Sequence, residues 1–171
     1  MRLLKPILLS LLVTSTWAGV PAEQPVTLKP SMEQRFASNL ATKFLTNWHY
    51  KDTRLDDTLS SDILDGYLEL LDPNRSYFLA NDIVQFERFR RGLDDALRHS
   101  DLAPAFEIFN VYSNRVTERV QHAQALLSQP MDFSVEENYQ FDRTESDWAA
   151  DQAELNEVWR KRVKNDVLRL K

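Results

Sequence analysis

The stretch DPNRSYFLANDI, residues 72–83, decides how the chain divides into elements. Asp72, Asn74 and Ser76 stand at alternate positions, the spacing at which an EF-hand loop offers its first three oxygen ligands. Such a loop needs glycine at its sixth position and a bidentate glutamate at its twelfth, and here those positions hold Tyr77 and Ile83. Tyr77 resists the sharp turn and Ile83 offers no oxygen, so the stretch reads as a connection between two helices. Pro73 disfavours helical geometry at Asp72 and ends the helix before it. Asn81 or Asp82 caps the helix after it, and Tyr77-Phe78-Leu79 is expected to plug the connection into the core. On this reading the oxygens at 72, 74 and 76 form turns and caps.

Helical periodicity spreads outward from that connection. Upstream, residues 57–71 carry Leu59, Ile63, Tyr67, Leu70 and Leu71 at helical spacing. Before them, Ser31 can cap a helix whose Met32, Phe36, Leu40, Phe44 and Trp48 recur every fourth residue, a face expected to be buried. Downstream, one helix over about 82–98 places Ile83, Phe86, Phe89, Leu93 and Leu97 inward. Asp101 restarts the chain, Pro104 is tolerable in a first turn, and Phe106, Phe109, Tyr112, Val116, Val120, Ala123 and Leu127 mark a long helix that ends before Pro130.

A last helix is expected from near Trp148 to the chain end, through Leu155, Trp159, Val163, Val167 and Leu170. Acidic residues lead it and basic residues close it, as the helix dipole favours. Its stripe reaches the last residues with no cap, so the part from about Val163 onward is expected to lack cover. With three glycines in 171 residues and no alternating strand pattern, the fold class is all-α: a single irregular bundle of about five to six helices. Asp72, Pro73, Tyr77 and Phe78 at the connection, with Trp159, Val163, Val167 and Leu170 on the last helix, are the candidate structural or interaction residues. LDDTL at 55–59 recurs as LDDAL at 93–97, but shared amphipathic periodicity accounts for most of the match.

The first residues bear on compartment. Arg2 and Lys5 precede an apolar run from Ile7 to Val13, and small residues follow at Ala18 and Ala22, the parts of a cleavable secretory signal over residues 1–22. The run is too short to span a membrane, so no integral membrane segment is expected after cleavage. Residues 23–30 read as a linker and 31–171 as the helical domain. The chain has no cysteine, hence neither disulfides nor a lipidated cysteine, which suits a soluble product in an oxidising compartment, and a bacterial periplasm fits best. Losing Arg2 and Lys5 takes the formal charge from −5 to −7, so nucleic acid is not an expected partner.

No catalytic constellation emerges. Asp56-Asp57 and Asp94-Asp95 are sequence neighbours, which do not face one another on a helix, so they read as caps and surface carboxylates. His49, His99 and His122 lack a second histidine at helical spacing and have no cysteine to assist them, so no metal site is expected. There is no GxSxG elbow, SxxK pair or glycine-rich phosphate loop, and no cofactor is expected. The basic terminal WRKRVKNDVLRLK carries an apolar stripe and reads as a half-buried helix.

HYKDTRLDDTLS, YLELLDPNRSYFL, FRRGLDDAL, DLAPAFEIFNVYSNRV, MDFSVEENYQFDR and WRKRVKNDVLRLK, in that order, resemble the N-terminal domain of the bacterial tail-specific proteases, or C-terminal processing peptidases. The resemblance covers about Ser31 to Lys171. His99-Ser100 departs from it, since the family tends to have a glycine there. The resemblance implies a periplasmic serine peptidase with a Ser/Lys dyad, a PDZ domain that captures apolar C-terminal tails of protein substrates, helical domains that shape the substrate cradle and, in some members, a lipoprotein adaptor. The sequence stops before the PDZ and dyad segments would begin, so no catalytic or tail-binding residue carries over, and a fragment of such an enzyme is expected. A free-standing exported helical binding module is the alternative.

Overall fold

The computed structural model describes residues 26–48 and 54–170. The leader expected at 1–22 and His49 lie outside the described residues. Among the described residues six α-helices follow in order: α1 Met32–Asn47, α2 Asp57–Leu71, α3 Ala80–Phe86, α4 Leu93–Arg98, α5 Ala103–Leu127 and α6 Gln152–Leu170. Among the described residues there is no β-sheet, and a lone parallel bridge joins Leu79 to Ala149. The chain is an all-helical bundle, in which α5 lies against α6, α2 against α4, and α1 rests on α4.

Each boundary has a local cause. Ser31 accepts the Gln34 amide while the Gln34 side chain accepts from the Ser31 amide, closing both ends of a capping box. Asp56 accepts the Leu59 amide at 3.0 Å and starts α2, as its place in the Asp56-Asp57 pair suggested. Asp82 caps α3 from inside its first turn, accepting the Leu79 amide at 2.9 Å. Pro104 sits in the first turn of α5. Residues 26–30 are not adrift: the Leu28 amide donates to Asn110 Oδ1 at 2.8 Å, and Asn110 Nδ2 donates back to the Leu28 carbonyl at 3.0 Å.

The expected helix over 82–98 is two helices. It breaks after Phe86 into a short 3₁₀ turn, Glu87–Phe89, and α4 begins only at Leu93. Long-range bonds hold the break: Ser60 Oγ accepts the Leu93 amide at 2.8 Å, and Arg90 forks onto Asp65 at 2.9 and 3.0 Å and reaches Ser61 Oγ at 2.7 Å. The core side of α2 keeps Ile63, Tyr67 and Leu71 packed against the interior as expected, but its most deeply buried residues are Ser60, Leu64 and Leu68, and Leu70 is exposed. On α5, Ile108 is fully buried, and Val120 and Leu127 face solvent. The last helix starts at Gln152, where Asp151 accepts the Glu154 amide at 2.9 Å, leaving Trp148 in the preceding loop.

The interior consists of two clusters. Leu64, Leu68, Phe78, Phe86, Leu93 and Ile108 form the first, and Ala149, Leu155, Trp159 and Val163 the second. Adjacent residues of the connection serve both. Phe78 enters the first cluster, with its ring 5.5 Å from Phe86, while Tyr77 packs on the second, 5.7 Å from Trp159. Successive side chains of an extended segment point to opposite sides, which is how two neighbours reach two cores.

The largest correction concerns α1. The face expected to be buried is exposed: Met32, Phe36, Leu40, Phe44 and Trp48 all face solvent, and no residue of α1 is buried.

Candidate interaction site

Asp72 organises the connection between α2 and α3. Its carboxylate is buried, with Oδ1 accepting the Ser76 amide at 2.8 Å and Oδ2 accepting those of Tyr77 and Phe78 at 2.9 and 3.0 Å. Charge-assisted bonds of this kind are about twice as strong as neutral ones. They hold the chain through Arg75, whose φ of 47° lies in the region that favours glycine. The oxygens that imitate a calcium loop are therefore engaged elsewhere. Asn74 accepts the Arg143 amide at 2.9 Å and donates to the Phe141 carbonyl at 3.1 Å, and Ser76 Oγ donates to the Asn74 carbonyl at 2.9 Å. Among the described residues no three His, Asp or Glu side chains are grouped to hold a metal ion.

The connection thereby grips the segment between α5 and α6. That segment runs irregularly from Ser128 to Asp151 and lies across α6 like a strap. Asn74 holds it at 141–143, and Arg75 donates to the Ser146 carbonyl with its guanidinium 5.4 Å from the Trp148 ring centre. At its middle, Glu137 receives Arg160 and Lys164 from α6. Clefts remain between strap and helix: one of about 390 Å³ lined by Phe133, Val135, Tyr139, Lys164 and Leu168, and another of about 490 Å³ beside Tyr139, Arg143, Glu154 and Val158, with Lys161 lining both.

Hydrogen bonds from Arg160 and then Lys164 hold the Glu137 carboxyl well below the ordinary 4.5, at about 2. A carboxylate depressed in the folded state contributes stability that is complete above its unfolded value and lost as pH falls toward its folded one. Glu137→Gln should therefore lose less melting temperature than the unmodified chain on acidification from about pH 5 to about pH 2.5. Equal losses in the two proteins, read by circular dichroism, would remove Glu137 from the acid response.

Of the residues singled out in the sequence, the structure brings Asp72, Tyr77, Phe78 and Trp159 together. The Trp159 indole N–H donates to the Ser76 carbonyl at 2.6 Å, tying α6 to the connection. Val163 is buried beside Trp159, and Val167 packs against the same cluster, so cover extends further along α6 than expected. Leu168 and Leu170 are exposed, and so is Pro73, which acts only by ending α2. Sequence reasoning missed Asn74 as a clamp, Glu137 as an anchor, and the Asp82–Arg115 pair, with bonds of 2.8 and 2.9 Å between largely buried side chains. Asp82 was expected as a cap and serves as one from the third position of α3, but nothing near it in sequence signals Arg115. Nothing in the irregular segment around Glu137 signals its partners. His99 closes α4 against the Asp95 carbonyl, 2.7 Å from Nδ1, and His122 stands apart on α5.

The sequence profile described as the tail specific protease N-terminal domain matches residues 41–171. The chain belongs to that family. A tail-specific protease from Haemophilus influenzae is 36% identical over 159 residues, which cover 88% of this chain and 23% of the relative. Within the tail-specific protease N-terminal domain, the matched region takes in both core clusters, the strap and all of α2 to α6. It begins inside α1, so Met32, Phe36 and Leu40 precede it.

Proposed function

We propose that this domain is a non-catalytic helical scaffold of an exported C-terminal processing serine peptidase, and that it forms part of the wall of the substrate cradle. The observation that carries this reading is the strap over α6, whose first cleft combines apolar surface at Val135, Tyr139 and Leu168 with the ammonium of Lys161, Lys164 being held by Glu137. A protein with an apolar C-terminal tail presents matching chemistry, apolar side chains and a terminal carboxylate. The PDZ and peptidase parts would belong to the rest of the polypeptide, and a lipoprotein adaptor would be a further contact. A leader-like residue range at 1–22 and a chain without cysteine support a periplasmic location.

The test uses the full-length enzyme carrying Val135→Asp and Tyr139→Ala. Degradation of a folded protein with an apolar tail is compared with hydrolysis of a short apolar-ended peptide. The protein substrate should be lost roughly five-fold more slowly, the equivalent of about 1 kcal/mol of contact, and the peptide at an unchanged rate. Rates that are both unchanged, or that fall together, would overturn the scaffold role at this surface.

A further inference from the structure

The middle of the strap is main chain held in place and left unpaired. Residues 136–140 contain no turn or bend, and their exposure alternates: Glu136, Asn138 and Gln140 face solvent, whereas Glu137 and Tyr139 are half-buried. That is the period of a strand. Among the described residues, no main-chain amide or carbonyl from Glu136 to Gln140 has a hydrogen-bond partner. The main-chain groups that fix the run belong to odd-numbered residues. Lys164 donates to the Val135 carbonyl at 3.3 Å, and Asn74 holds the Phe141 carbonyl at 3.1 Å and the Arg143 amide at 2.9 Å. Alternate residues of an extended chain present their main-chain groups to opposite edges, so those of Glu136, Asn138 and Gln140 fall on the edge that these anchors leave open. An open edge is a template for another chain. Irregular segments longer than about 12–15 residues are uncommon inside a compact domain and are usually functional.

We propose that residues 136–140 bind an extended polypeptide segment by main-chain pairing, the segment adding as a strand along the open edge. The proposal rests on the reading of the strap as a wall of the substrate cradle, and it names what that wall holds: the backbone of an unfolded stretch of substrate, and not only its end. Main-chain donors and acceptors at strand spacing match another main chain, while neighbouring pockets sort alternate side chains. Those pockets are present. The clefts of about 390 and 490 Å³ share Tyr139 as a wall, the first offering Phe133, Val135 and Leu168, and the second Val158 among charged side chains. Pairing therefore accepts many sequences, and the first cleft favours an apolar residue. Glu137, gripped by Arg160 and Lys164, keeps the run extended before anything binds, which lowers the ordering cost of association.

The probe is a fluorescent peptide of about ten residues, serine and valine alternating between terminal lysines, with an amidated end that removes the terminal carboxylate. It should bind the purified chain and slow amide exchange, read by NMR, at Glu136, Asn138 and Gln140. N-methylation of the central peptide amides, which removes donors and keeps the side chains, should weaken binding at least about ten-fold. Asn138→Pro deletes one donor of the strap and should weaken it about five-fold relative to Asn138→Ala. Equal affinities for methylated and unmethylated peptides would mean that the clefts take side chains alone. That result overturns main-chain pairing, while the wall reading is decided separately by degradation of the folded substrate. Absence of binding, or slowed exchange only outside 136–140, overturns the pairing too. So does slow exchange of these amides in the full-length enzyme before peptide is added, because another part of the polypeptide would then already occupy the edge.

Discussion

Replacing Trp159 with alanine is expected to cost the fold about 5 kcal/mol, the largest effect of any single change considered. The indole is 8% exposed at the centre of the second cluster, so truncation empties a site at a cost of about 3–5 kcal/mol. It also orphans the Ser76 carbonyl, buried with its residue, at a further 1–3 kcal/mol or so. Against a typical total of about 5–15 kcal/mol, much of the stability would go. Trp159→Phe largely separates the two contributions, because it keeps most of the apolar contact and loses the N–H together with part of the ring. Urea unfolding should place Trp159→Phe within about 2 kcal/mol of the unmodified chain. A cost below about 2 kcal/mol for Trp159→Ala would show that α6 is held mainly by other contacts.

Asp72→Ala should cost about 3–5 kcal/mol by a different route. Three backbone amides lose their acceptor at once, those of Ser76, Tyr77 and Phe78, and the first and last belong to buried residues. The left-handed backbone at Arg75 then has nothing local to hold it. At about 3 °C per kcal/mol for a chain of this size, the melting temperature should fall by roughly 10 °C or more. Asp72→Asn keeps one acceptor oxygen but turns an NH₂ group toward amide donors, so it should lie between alanine and the parent. A shift below about 3 °C for Asp72→Ala would mean that the loop finds other acceptors, and the role assigned to Asp72 would fail.

The connection at 72–83 was legible because its signals are local. Pro73 ends a helix by sterics, and Asp72 and Asp82 are short side chains that reach their own backbone. Trp159 and Val163 were legible from periodicity, and the ordered strings of the six segments pointed to the family before any geometry was known. The outward face of α1 was not legible. A stripe at Met32, Phe36, Leu40, Phe44 and Trp48 says that one side of the helix is apolar, and amphipathicity alone cannot say which body covers it. The break before Leu93 was hidden for a related reason: its cause is the Ser60 hydroxyl, more than thirty residues away in sequence. Glu137 lies in a segment with no period at all, where ion pairs with Arg160 and Lys164 depend wholly on how the strap is laid.

The placement of Tyr77 in one cluster and Phe78 in the other sets a limit of a different kind, on the length of the connection. Composition between Asp72 and Tyr77 is open to change wherever the Asp72 carboxylate still finds its three amides. Length is not open, because adding or deleting one residue would turn each ring toward the opposite interior and uncouple the amides from their acceptor. Insertions and deletions during descent should therefore accumulate in the strap and be absent here, which makes this short loop the fixed ruler against which the rest of the domain is aligned.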